Sequence, residues 1–101
     1  IALVTGAGRG IGEATATELA KAGADIAVAD LDEAAAKKVS GRILSLGQQS
    51  LAVQVDIGDV TAIERMVETV VRNLGGIDIV VNNAGVTRHG AELPPLTGSR
   101  C

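Results

Sequence analysis

The 101-residue sequence contains no phenylalanine, tyrosine or tryptophan. Its core must therefore be built from aliphatic side chains, without the large aromatic residues that usually fill protein interiors. A single cysteine, Cys101, excludes an internal disulfide bond. Chains with so little cysteine are typical of a reducing compartment, so we expect a cytoplasmic protein.

Basic clusters and long apolar runs are also missing. The formal net charge is −3, and the only adjacent lysine or arginine residues are Lys37-Lys38, so we expect no nucleic-acid partner. The apolar runs are far too short to cross a bilayer, so we expect no membrane partner. The sequence has no recognisable signal peptide and no initiator methionine. It opens inside a predicted strand, and we interpret it as part of a longer protein.

The hydrophobic periodicity predicts alternating strands and helices in one globular domain. The predicted strands are 1–5, 25–29, 50–55 and 77–81, and the predicted helices are 11–22, 32–46 and 58–74. Asp32 is a good N-cap for the second helix. Such alternation predicts an α/β fold with a parallel sheet and right-handed crossovers, in the strand order 3-2-1-4. The pattern fades towards the end, where Pro94-Pro95 disfavours regular structure. We therefore assign 1–90 to the domain and 91–101 to an irregular tail, which indicates a truncated fold.

Two predicted helices carry apolar residues at helical spacing, which indicates the faces that pack against the sheet. The first helix presents Ile11, Ala14, Thr15, Leu19 and Ala22 on one face. The third presents Val60, Ile63, Val67, Val70, Val71 and Leu74.

The glycine-rich stretch Thr5–Gly12 connects the first strand to the first helix. Unpaired N–H groups and the helix dipole make a helix N-terminus a binding site for anions. Glycine lets a phosphate approach the backbone and tolerates positive φ. Asp30 follows Gly10 by twenty residues, where a ribose-binding acid of a dinucleotide fold belongs. The alternative is a tight strand–helix connection that binds nothing.

Four features together resemble the short-chain dehydrogenase/reductase family. They are Thr5-Gly6-x-x-x-Gly10-Ile11-Gly12, Asp30 after the second strand, Asp56 after the third, and Asn82-Asn83-Ala84-Gly85 after the fourth. The resemblance covers residues 1 to about 90. It implies an incomplete Rossmann-type, doubly wound parallel sheet that binds NAD(P).

The resemblance also implies contacts to the cofactor pyrophosphate. Gly6, Gly10 and Gly12 would form the turn beneath it. Arg9 and Ile11 would lie beside this turn.

Further along the chain, the resemblance implies contacts to the two nucleosides. Asp30, followed by Leu31, would accept hydrogen bonds from the adenosine ribose, and Asp56 with Ile57 would contact the adenine. The segment Asn82-Asn83-Ala84-Gly85 would lie near the nicotinamide ribose and tie the fourth strand to its neighbours. Alternatively, Asp56 caps the third helix or stays in solvent, and Asn82-Asn83 forms a turn that satisfies its own backbone. His89 and Cys101 are assigned no function.

Arg9 and Asp30 favour different cofactors. Arg9 could approach the 2′-phosphate of NADP, whereas Asp30 would accept a hydrogen bond from the 2′-hydroxyl of NAD. Because a carboxylate repels the phosphate and Leu31 adds no positive charge, we expect NAD rather than NADP.

The resemblance implies an oxidoreductase that transfers hydride between a nicotinamide cofactor and a small carbonyl or alcohol substrate, as a homo-oligomer. The family's catalytic serine and its Tyr-x-x-x-Lys pair lie downstream of the asparagine motif. This sequence has no tyrosine, and its three lysines all lie upstream of that motif. We therefore predict no catalytic residue and no metal site here, and expect the chain to be inactive alone. The alternative is a non-catalytic nucleotide-binding or interaction module of this length.

Overall fold

A computed structural model describes residues 1–83 of the chain. The elements are β1 (Ala2–Thr5), α1 (Gly10–Lys21), β2 (Ile26–Asp30), α2 (Glu33–Ser45), β3 (Ser50–Gln54), α3 (Val60–Leu74) and β4 (Ile79–Asn82). Every predicted helix and strand is present, with ends that move by no more than two residues. The predicted domain limit at residue 90, the tail 91–101, His89 and Cys101 lie outside the described residues.

The four strands form one parallel sheet in the order β3-β2-β1-β4, which confirms the Rossmann-type arrangement predicted from the sequence. Ala2 of β1 pairs with Ile26 of β2 on one side and with Ile79 of β4 on the other. β3 joins the outer side of β2, where Ser50 pairs with Ile26. β1 therefore occupies an interior position of the sheet, and the turn that follows it starts between two neighbouring strands.

Alternate residues of the strands enter two separate clusters, one on each face of the sheet. The first cluster joins the sheet to α1 and α2; its fully buried members are Ala2, Val4, Ala7, Ala16, Ala20, Ile26, Val28, Ala36, Val39 and Ile43. The second joins it to α3; its members are Leu3, Ala27, Ala29, Val55, Met66 and Val70. Both clusters are aliphatic apart from the Met66 thioether. Helices thus cover both faces, as the doubly wound arrangement requires.

The prediction for the packed face of α1 is wrong. The buried residues are Gly12, Ala16 and Ala20, whereas Ile11 is 77% exposed. These small residues follow one another at four-residue steps, so they form one stripe along which the helix backbone can approach the sheet closely. Of the predicted face, only Leu19 packs against the cluster. Hydrophobicity alone favoured the larger side chain over the residues that allow close packing.

The apolar stripe of α3 is wider than the face that packs. Met66 and Val70 are buried, and the predicted Ile63 and Leu74 pack partly against the second cluster. The other predicted members of the stripe are exposed: Val60, Val67 and Val71. Met66, which the sequence prediction left out, takes the central buried position.

Aspartate side chains cap α2 and α3 at their N-termini. Asp32 accepts a hydrogen bond from the N–H of Ala35 (3.1 Å), and Asp59 accepts one from Ala62 (3.2 Å). Such caps satisfy first-turn donors that have no acceptor within the helix. α3 ends at Gly75, whose φ of 97° is the left-handed conformation typical of a helix C-terminus.

β4 is an edge strand within the described part of the sheet. It pairs with β1 on one side, and Ile79 and Val80 are 45% and 62% exposed. Only Val81 packs partly against the first cluster. The fold therefore leaves apolar surface open at the end of the sheet that carries β4.

None of the three helices in residues 1–83 combines the length and the apolar character that crossing a bilayer demands.

Candidate functional site

The carboxyl ends of the four strands lie side by side at one edge of the sheet. Thr5 is level with Asn82 of β4, and Asp30 is level with Gln54 of β3. The N–H of Val55 donates to the Asp30 carbonyl (3.1 Å), which extends this alignment by one residue. The predicted site residues that follow β1, β2, β3 and β4 therefore meet at the edge where open α/β sheets bind ligands.

The turn between β1 and α1 depends on glycine for two different reasons. Gly6 and Gly10 have φ values of 64° and 60°, which other residues rarely adopt. At Gly12 the constraint is space, because a Cβ atom would lie 2.1 Å from the carbonyl oxygen of Gly6. The first turn of α1 thus rests directly on the backbone of the glycine-rich turn.

The N-terminus of α1 carries no side-chain cap, unlike those of α2 and α3. Arg9 occupies the N-cap position with an extended backbone, and its side chain makes no capping hydrogen bond. The first N–H groups of a helix have no intrahelical acceptor, and the helix dipole adds positive potential there. A phosphate can serve as the missing acceptor. Ile11 lies exposed beside this position.

Asp30 is fixed against the glycine-rich turn by two backbone donors. Its Oδ2 accepts a hydrogen bond from the N–H of Gly8 (2.9 Å), and its Oδ1 accepts one from the N–H of Asp32 (2.9 Å). A Cβ atom on Gly8 would lie 2.8 Å from Oδ2, so glycine is needed for this approach. The half-buried carboxylate is consequently oriented in advance and joins the end of β2 to the predicted phosphate-binding turn.

Arg9 extends from the same turn to the start of α2. Its Nη2 lies 2.6 Å from Oδ2 of Asp32 in an exposed ion pair. The N–H of Ala35, which donates to Asp32, lowers the pKa of the Asp32 carboxyl, and the positive charge of Arg9 lowers it further. Asp32 is therefore charged at neutral pH and holds the one basic residue of the glycine-rich turn.

Asp56 follows β3 and lies exposed at the same edge. Its Oδ1 accepts a hydrogen bond from the N–H of Gly58 (2.9 Å). Since Asp59 is the cap of α3, the alternative that Asp56 caps this helix is wrong. Ile57 packs partly against the second cluster, while Leu31 is exposed beyond β2.

The end of β4 is tied to β1 through Thr5. The Thr5 hydroxyl donates to Oδ1 of Asn82 (2.9 Å) and accepts the N–H of Asn83 (3.2 Å). Asn82 belongs to β4 rather than to a self-contained turn. The buried Nδ2 of Asn83 has no hydrogen-bond partner within residues 1–83. Ala84 and Gly85, the other predicted residues of this segment, lie outside the described part of the chain.

Three contributions to this edge were not predicted from the sequence. The N–H of Gly8 anchors Asp30, Asp32 pairs with Arg9, and the Thr5 hydroxyl bridges β1 and β4. Gly8 and Thr5 belong to the glycine-rich motif, so the sequence placed them at this edge but did not predict the hydrogen bonds that they make. Asp32 was predicted only as a helix cap. In residues 1–83 no cluster of three or more histidine, cysteine, aspartate and glutamate side chains is placed to hold a metal ion.

Comparison with known proteins identifies the family. A family model described as short chain dehydrogenase matches residues 1–95. The short chain dehydrogenase/reductase AacuN of Aspergillus aculeatus is 46% identical over 91 residues, which are 89% of this chain and 34% of that protein. The chain thus spans about a third of the length of this relative. The short-chain dehydrogenase/reductase homolog YusS of Bacillus subtilis is 42% identical over 90 residues, which are 88% of this chain and 83% of that protein.

A solved structure shows the same likeness in three dimensions. The crystal structure of an NAD⁺-bound xylitol dehydrogenase superposes with a TM-score of 0.80 at 39% identity. The match covers 83% of this chain and 32% of that one. The motif spacing, the strand order and these relatives agree, and the chain belongs to the short-chain dehydrogenase/reductase family.

Proposed function

We propose that this chain binds a nicotinamide dinucleotide at the carboxyl edge of its sheet, as the cofactor-binding portion of an oxidoreductase that acts on a carbonyl or alcohol substrate. The observation that supports this most directly is the bond between Gly8 and Asp30. It brings a turn suited to phosphate and a carboxylate suited to ribose hydroxyls into one rigid unit. A turn that only connected β1 to α1 would need no such acid.

The conformation and surroundings of Gly10 support a pyrophosphate site at the glycine-rich turn. Gly10 has positive φ and open space where a side chain would project. The N-terminus of α1 offers N–H groups without a side-chain cap. Gly6, Gly10 and Gly12 would hold the pyrophosphate, with Arg9 and Ile11 beside it.

The acids after β2 and β3 suit the adenosine. The oriented carboxylate of Asp30 would accept hydrogen bonds from the ribose hydroxyls, and Asp56 would accept one from the exocyclic amine of adenine. Leu31 and Ile57 offer apolar surface next to these acids. Since Asp30 disfavours a 2′-phosphate, we propose NAD rather than NADP as the cofactor.

Asn82 and Asn83, with Ala84 and Gly85, would lie towards the nicotinamide ribose. The buried amide donor of Asn83, which lacks a partner within residues 1–83, and the bridge through Thr5 support a structured pocket wall at this point. When bound, the cofactor supplies the hydride chemistry. A carbonyl oxygen that receives a hydride must also gain a proton. Because the sequence has no tyrosine, we propose that the proton-transfer group lies outside these 101 residues.

Binding of NADH without turnover tests this proposal. We expect isothermal titration calorimetry to show binding by the wild-type chain, and Gly10→Ala to weaken it by at least about tenfold, because a Cβ keeps the phosphates from the backbone. Gly47→Ala is the matched control: Gly47 also has positive φ and open surroundings but lies after α2. Both variants should lose about 1 kcal/mol of stability through backbone strain, yet Gly47→Ala should bind normally.

In the same samples, NADH should not be oxidised when ketones are added. Equal weakening in the two glycine variants, or no binding by the wild type, would refute the proposed site. Turnover that is lost in Gly10→Ala would show that the chain itself is catalytic. Turnover that persists unchanged in that variant would identify a contaminating enzyme.

A second candidate is a non-catalytic nucleotide-binding module. The match to YusS favours a unit of about this length, because this chain spans 83% of that relative. The gene sequence after the codon for Cys101 separates the candidates. A downstream Tyr-x-x-x-Lys would favour the oxidoreductase, and a stop codon would favour the module.

A further inference from the structure

The ion pair between Arg9 and Asp32 links two segments that are 23 residues apart in sequence. Nη2 of Arg9 lies 2.6 Å from Oδ2 of Asp32, and the two side chains are 68% and 47% exposed. Arg9 is the only arginine or lysine among the first twenty residues. It is therefore the one cation that the glycine-rich turn itself could offer to a phosphate.

Asp32 is firmly held in the position from which it engages this cation. Its Oδ1 accepts the N–H of Ala35 as the cap of α2, which leaves Oδ2 for Arg9. Its own N–H donates to Oδ1 of Asp30. The two carboxylates consequently belong to one hydrogen-bonded turn, and the guanidinium is bound to the acid that is not the predicted ribose ligand.

This arrangement changes how Arg9 bears on cofactor choice. A free guanidinium beside the turn would attract the 2′-phosphate of NADP. Here its charge is already balanced by Asp32, and an incoming phosphate would also meet the negative charge of that carboxylate. Asp30 and Asp32 would therefore disfavour NADP in different ways, the first by direct repulsion and the second by engaging the available cation.

We propose that Asp32 is a positioning residue for cofactor selection, which keeps the chain selective for NAD by tying Arg9 to the start of α2. The proposal rests on the proposed dinucleotide site. It places Arg9, the basic residue that would otherwise favour NADP, in an ion pair with another residue of the same chain.

Asp32→Asn separates this role from helix capping, because asparagine caps helices about as well as aspartate. Titration calorimetry with NAD⁺ and NADP⁺ should show that the variant binds NADP⁺ about fivefold more tightly, the scale of an exposed ion pair, with little change for NAD⁺. The gain should shrink as the salt concentration rises. Asp59→Asn is the matched control, since Asp59 caps α3 in the same manner, and it should leave the ratio of the two dissociation constants unchanged.

A second substitution tests whether the effect passes through Arg9. In the Asp32→Asn background, Arg9→Gln should abolish the gain in NADP⁺ affinity, because no guanidinium is then left to attract the 2′-phosphate. Far-UV circular dichroism melts confirm that each variant is folded. This inference is overturned if Asp32→Asn leaves the ratio of the NAD⁺ and NADP⁺ dissociation constants unchanged, or if the gain in NADP⁺ affinity survives Arg9→Gln. In either case the proposed function still holds if the chain binds NAD⁺. Failure of the wild-type chain to bind either cofactor overturns both.

Discussion

Replacing Gly12 by alanine should destabilise the chain by about 3 kcal/mol or more, at the upper end of what overpacking costs. The added Cβ would lie 2.1 Å from the Gly6 carbonyl oxygen and 2.7 Å from its carbon. Both are backbone atoms, so no side chain can move aside to relieve the clash. Small domains have only about 5–15 kcal/mol of stability in total, so a large fraction would be lost. Urea or thermal unfolding followed by far-UV circular dichroism measures the effect.

Gly41→Ala is the matched control for this experiment. Gly41 also lies inside a helix, but a Cβ there would meet nothing within 4 Å. Alanine should therefore stabilise α2 by about 0.5–1 kcal/mol through its higher helix propensity. If Gly12→Ala unfolded at the same urea concentration as the wild type, α1 would not rest on the turn as described.

Removing the Asp30 carboxylate should largely abolish the preference for NAD over NADP. Like charges about 4 Å apart repel by on the order of 4 kcal/mol at an effective dielectric constant of about 20. Because Asp30 is only half-buried, solvent reduces this cost, and we expect Asp30→Ala to shift the ratio of dissociation constants by about a hundredfold. NAD should also bind more weakly, since the ribose loses its acceptor and Gly8 loses its anchor.

Asp56→Ala provides the comparison for Asp30→Ala. Asp56 also follows a strand and also accepts a backbone N–H, but it is predicted to contact the adenine that NAD and NADP share. Its loss should weaken both cofactors equally. If the wild type already prefers NADP, or if Asp30→Ala leaves the ratio unchanged, then Asp30 is not the ribose acid and the proposed adenosine pocket is wrong.

The sequence was sufficient to predict the order of the elements and of the strands. Apolar runs, glycines and capping acids such as Asp32 indicate where the helices and strands begin and end. The handedness rule for crossover connections then predicts the order of the strands in the sheet. The packed face of α1 was mispredicted because hydrophobicity identifies residues that can be buried. How closely a helix approaches its sheet depends instead on small residues such as Gly12 and Ala16.

Less of the site than of the fold could be predicted from the sequence. The predicted residues in the described part of the chain do lie at or after the strand ends, but their cofactor roles remain predictions. The bond from Gly8 to Asp30 is made by a backbone N–H, which every residue except proline possesses, so the residue type gives no signal for it. The ion pair between Arg9 and Asp32 depends on where the start of α2 lies relative to the glycine-rich turn. Only the assembled fold determines that position.

The unequal spacing of the strand pairs along the chain favours a particular order of folding. β1 pairs with β2 across 24 residues, from Ala2 to Ile26, but with β4 across 77 residues, from Ala2 to Ile79. Closing the longer loop costs about 1 kcal/mol more in chain entropy. Local contacts form first when loop closure limits the rate, so β1, α1, β2 and α2 can assemble before β4 joins. Gly6, Asp30 and Asp32 all lie within this early unit, so the glycine-rich turn and the proposed ribose-binding acid would take shape while β4 is still unpaired.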